Sequence, residues 1–78
     1  MARLEQLIER VCARPPRARF ADVRALLEAL GWTLGREKGS HVTFVKQGEF
    51  PIVVAKSGGR WVKRTYLVTI CQRLGPDE

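Results

Sequence analysis

The residue type best suited to chemistry is the chain's single histidine, His41, which follows Lys38, Gly39 and Ser40. An imidazole with an unperturbed pKa of about 6.5 takes or gives a proton near neutral pH. General acid–base catalysis is therefore what this side chain offers. Gly39 supplies the backbone angles of a tight turn, between an expected strand over 32–37 and a second over 41–46. Gly39 and Ser40 shape that turn and hold His41 at the entrance of a strand. The competing reading is a structural histidine whose ring is satisfied locally.

Cations cluster around this stretch. Arg36 and Lys38 flank the turn, Lys56 and Arg60 stand in a later Gly-Gly loop, and Lys63 and Arg64 open the last expected helix, where free amides attract anions. The 78-residue chain carries 14 Lys and Arg against 8 Asp and Glu, a formal charge of +6. Most of the cations are Arg, which contacts phosphate through two hydrogen bonds and stacks on bases. Together they form a candidate phosphate track bracketing His41. An acidic protein partner would fit the same charge.

One histidine and two distant cysteines lack metal-ligand spacing, so no metal or cofactor is expected. Cys12 and Cys71 fall on apolar helical faces and read as buried small hydrophobes rather than as a disulfide. The expected setting is reducing and cytoplasmic. The longest apolar run, 52–55, is far short of a membrane span. Glu5 and Glu9 in the first turns do not fit a signal peptide.

The elements that must position His41 follow from periodicity. Leu4, Leu7, Ile8 and Val11 mark an amphipathic helix over 3–13. It lies on its own domain, on a second copy or on a partner. Arg14-Pro15-Pro16 ends it, and 14–19 reads as a linker whose three arginines either touch phosphate or stay solvated. Val23, Leu26, Leu27 and Leu30 mark a second helix, with Gly31 as its left-handed C′ residue and Trp32 folding back on Leu27. The period then changes from 3.6 to 2 through three short strands, with a turn at Gln47-Gly48-Glu49. Pro51 argues that the third strand lies at an edge or has its N–H facing outward. With Val42 and Phe44 facing the core, His41 and Thr43 face away from it. The segment 56–60 breaks the strand pattern, and Leu67, Ile70, Cys71 and Leu74 mark a last helix that Gly75-Pro76 ends. Trp61 and Tyr66 are expected to be partly buried at its start. The expected fold is α+β: helix, three antiparallel strands and helix, as in double-stranded-RNA-binding domains, plus an extra N-terminal helix.

Three stretches carry a resemblance to a family: FADVRALLEALGW over 20–32, REKGSHVTF over 36–44, and the Gly-Gly-Arg loop followed by VKRTYL over 62–67. They are similar to HicA-like toxins, the small mRNA interferases of bacterial and archaeal toxin–antitoxin pairs. The likeness covers about residues 20–75, which leaves 1–19 as an N-terminal helix and linker and 76–78 as a tail. It implies a double-stranded-RNA-binding-like fold and a ribonuclease that cleaves messenger RNA. It also implies a catalytic role for His41, and a HicB-like antitoxin as partner in a homo- or hetero-oligomer. Many members carry a second histidine where this chain has Val42, and a proline-containing end to the third strand where it has Ala55-Lys56.

The resulting expectation is metal-independent RNA cleavage. His41 serves as general base or acid, and Lys38, Lys56 or Arg60 stabilises charge at phosphorus. The rival expectations are a non-catalytic RNA-binding module and a basic protein-interaction domain.

Overall fold

The computed structural model describes residues 3–13 and 16–74. Gly75-Pro76, the expected tail over 76–78 and Arg14-Pro15 lie outside them. The order is α1 (Arg3–Cys12), β1 (Arg17–Arg19), α2 (Phe20–Ala29), β2 (Thr33–Lys38), β3 (His41–Val45), β4 (Ile52–Ser57), β5 (Trp61–Lys63) and α3 (Arg64–Leu74). The fold is α+β, with three helices against an antiparallel sheet of five strands ordered β1-β5-β4-β3-β2.

The three expected strands are β2, β3 and β4, and the sheet extends beyond them on one side. Gly58 and Gly59 both have positive φ, so the segment expected to end the strand pattern reverses the chain. β4 continues to Ser57, and β5 returns beside it with Ser57 opposite Trp61. Arg17-Ala18-Arg19, expected as linker, pairs with β5 as an edge strand. Its alternation is too short to read as a strand in sequence, yet Ala18 is buried between two exposed arginines. Pro51 lies one residue before β4, which is interior to the sheet rather than at its edge.

Period-2 geometry makes the sheet two-faced. Val42 and Phe44 of β3 and Ile52 and Val54 of β4 are buried on the helical side with Val62, Leu26, Leu27, Leu67 and Ile70. α2 ends as expected. Gly31 has φ +95°, its N–H donates to the Glu28 carbonyl at 3.1 Å, and the Trp32 N–H donates to Leu27 at 2.9 Å. This pair of bonds is a Schellman stop. The Lys46 ammonium donates to the Leu30 carbonyl at 2.9 Å, tying the helix end to the chain just after β3. The helix begins without a side-chain cap on Arg19, and the Phe20 N–H donates instead to the Arg60 carbonyl at 2.7 Å.

The N-terminal helix packs on its own domain. Val11 is buried in the shared core, Leu7 and Ile8 pack against that core, and Arg10 pairs with Asp22 at 3.6 Å. The cysteines overturn their sequence reading, because Cys12 of α1 and Cys71 of α3 form a disulfide with Cα atoms 5.8 Å apart. Packing of α1 against α3 brings both to one contact, which their distance in sequence hid. The pairing also removes the cysteine-based argument for a reducing compartment. Among the described residues, no helix is long and apolar enough to cross a membrane.

The bond closes a loop with a sequence separation of 59 residues. Loop-closure entropy at that length corresponds to roughly 4 kcal/mol. Reduction, or Cys12→Ser with Cys71→Ser, is expected to lower unfolding free energy by about 2–4 kcal/mol in denaturant titrations. Unchanged midpoints with and without reductant would show that the link contributes nothing.

Candidate functional site on the open sheet face

His41 begins β3 and is exposed, while Val42 beside it is fully buried. Gly39 has φ +60°, and a Cβ there would meet nothing within 4 Å. Left-handed backbone, rather than crowding, is the reason for glycine. The turn is anchored to the sheet, since the Lys56 N–H donates to the Ser40 carbonyl at 2.8 Å.

Strand register settles what shares a face with His41. Its direct partners are Lys38 on β2 and Ala55 on β4, while Thr43 pairs with Arg36 and Val53. Side chains of directly opposed residues lie about 4.5–5.5 Å apart at Cβ. Arg36, Lys38 and His41 therefore emerge together on the side away from the helices. A bulge between Leu34 and Arg36 keeps Arg36 on that side. Lys63 pairs with Arg17 on β1, and it neighbours the buried Val62, so it too faces away from the core. A hollow of ≈ 200 Å³ lined by Ala55, Lys56, Ser57, Lys63 and Tyr66 lies beside His41's cross-strand partner.

The other expected cations lie elsewhere. Lys56 projects to the helical side, opposite buried Val62, with its ammonium 5.1 Å from the centre of the Phe20 ring. There it donates to the Glu37 carboxylate at 2.6 Å, and its side chain is only 16% exposed. Sequence grouped it with His41, but alternation puts it on the opposite face. Arg60 is exposed at the β4–β5 turn, and Arg64 is exposed at the first position of α3. Among the described residues, no ion pair engages Arg36, Lys38, Lys63 or Arg64.

Sequence reading missed two features of this face. Arg17 and Arg19 of β1 both lie over Trp61, with guanidinium carbons 3.9 and 5.8 Å from the ring centre. Their spacing across a buried alanine was the available signal. The strands carry a single carboxylate among the described residues, Glu37, and it points to the helical side with Val42. The charged side chains that the strands present on the open face are therefore all cationic. No three His, Cys, Asp or Glu side chains converge among the described residues to hold a metal ion.

A family model described as HicA toxin of bacterial toxin-antitoxin matches residues 20–75. The chain belongs to the HicA toxin family. No curated protein and no solved structure matched the chain. The HicA match spans α2 to α3 and contains the His41 turn, whereas α1 and β1 precede it. As a member of that family the protein is the toxin of a toxin–antitoxin system.

The Lys56 pair fixes the ionisation of one site neighbour. Its hydrogen bond and its charge hold the Glu37 carboxyl below the ordinary value of 4.5; desolvation opposes the shift, and Arg24 adds a lesser pull downward. A depressed folded-state value means that the pair stabilises the fold above the ordinary carboxylate range and is lost as pH falls through that value. An NMR titration should show Glu37 with a midpoint below 4.5, returning upward in Lys56→Met. Identical midpoints in the two proteins would contradict the pairing.

Proposed function

We propose that this toxin is a metal-independent endoribonuclease that cleaves cytoplasmic mRNA, with residues 20–75 as its catalytic domain and His41 as its general acid–base group. The observation that carries this reading is the exposed imidazole on a sheet face whose other charged members are all cationic. RNA brings its own nucleophile. His41 accepts the proton of a ribose 2′-OH, the freed oxygen attacks the adjacent phosphorus, and the 5′-oxygen leaves with its bonding pair and takes up a proton.

Charge builds on the phosphoryl oxygens as the bond to phosphorus forms, and preorganised cations lower that barrier. Lys38 is the nearest candidate, being paired directly across from His41. Lys63 and Arg36 extend the track on either side, and Arg60 and Arg64 serve phosphates farther along it. Lys56 is left out of the catalytic set because Glu37 already engages it. Gly39 and Ser40 act through the turn that positions the imidazole.

A HicB-like antitoxin is the partner this reading requires. Val45 and Val53 are 40% and 50% exposed on the same face as His41. They give an antitoxin apolar purchase beside the cations, so that one bound protein covers the imidazole and blocks RNA.

Loss of one acid–base group costs about a hundred- to ten-thousand-fold in rate. His41→Ala should reduce cleavage of a messenger transcript by that factor, while melting temperature and RNA affinity stay near those of the parent. Cleavage at the parental rate would overturn the role of His41. Tight RNA binding with no products from the parent protein would favour a binding module instead.

A further inference from the structure

The face bearing His41 also carries a group of side chains unrelated to proton transfer. Trp61 is half-buried on β5, with Ser57 on one side and Arg19 on the other as direct cross-strand partners. The Arg17 guanidinium lies over its ring at 3.9 Å, and that of Arg19 stands at 5.8 Å. Neither arginine is paired with a carboxylate among the described residues. An arginine needed only for solubility would keep its head in water. Here a planar, weakly hydrated cation rests on an indole with no carboxylate partner among the described residues.

The geometry points to a nucleotide-stacking subsite for single-stranded RNA, built by Arg17, Trp61 and Arg19 and located beside the catalytic histidine. Guanidinium planes and aromatic rings both accept unpaired bases, and every base has a face to offer. Arg17 held over Trp61 offers a shelf for one base, and Arg19 and Lys63 lie beside it for the flanking phosphates. Trp61 sits two strands and two residues from His41, roughly 12 Å at ordinary strand spacing and rise. A strand with its reactive ribose at His41 therefore brings a neighbouring nucleotide onto the shelf.

Both arginines belong to β1, which precedes the family match over 20–75. The segment that adds an edge strand to the sheet thus also adds a binding element to the reactive face. A duplex hides its base faces and gains nothing from a shelf. This subsite accordingly selects single strands, although double-stranded-RNA-binding domains share the fold. The inference rests on RNA being the substrate, and its test uses binding rather than cleavage.

The probes are a 12-nucleotide single-stranded RNA of mixed sequence, the same strand with abasic positions, and its duplex, titrated against the full chain carrying His41→Ala to prevent turnover. Added Arg17→Ala or Trp61→Ala should each weaken the intact single strand by about tenfold to a hundredfold. The abasic strand and the duplex should lose far less, and Trp61→Phe should retain much of the affinity. Circular dichroism and melting identify any variant that fails to fold, in which case Trp61→Phe and Arg17→Lys carry the test. Equal affinity of parent and variants for the intact strand would overturn the subsite. So would an equal loss for the intact and abasic strands, which would make these residues phosphate contacts only. If His41→Ala still cleaves, the catalytic assignment fails while the stacking result stands. A failed subsite, conversely, leaves His41-dependent cleavage untouched.

Discussion

Alternation along β3 orients His41 through its buried neighbours. Val42 and Phe44 have no exposed surface, and their partners Val54 and Ile52 are buried on the same side. Slipping the register by one residue would drive His41 into the core and expose this apolar set, a cost of several buried side chains at about 1.5–3 kcal/mol each. Hydrophobic burial on one face thereby orients the imidazole on the other, with no contact to the ring itself. The Gly39 turn and the bond from Lys56 N–H to the Ser40 carbonyl fix the same register from the end of the hairpin.

The same rule sorts the cations. Arg36, Lys38 and Lys63 emerge with His41, whereas Lys56, an odd number of residues from Ala55, is turned to the helical side and neutralised by Glu37. A basic residue close in sequence to the site is thus no guide to membership of it, and strand parity is. The outcome is a division of labour between faces: one carries packing and its closing ion pair, and the other carries positive charge with little to compensate it.

Much of this was legible in the residues. The strands β2, β3 and β4, the outward His41 and the helix stop at Gly31 and Trp32 all rest on local signals: alternation, a glycine at positive φ, an aromatic at C″. What escaped depended on pairing between distant segments. Arg17-Ala18-Arg19 is too short to announce a strand until β5 offers it an edge, and β5 exists only because Gly58 and Gly59 turn the chain. Cys12 and Cys71 meet because α1 and α3 pack together, a contact between helices that no spacing rule encodes.

The central claim is that RNA lies across the helix-free face of the sheet, with its ribose at His41. The direct measurement is an NMR map of the isotope-labelled protein on addition of RNA whose 2′-hydroxyls are replaced by hydrogen, so that it binds without being cut. The account predicts that the His41 ring, the Trp61 indole and the amides of Lys38, Thr43 and Lys63 shift, while Val23, Leu27 and Arg24 on α2 do not. Shifts concentrated on α1 and α2, with the His41 ring unmoved, would contradict it.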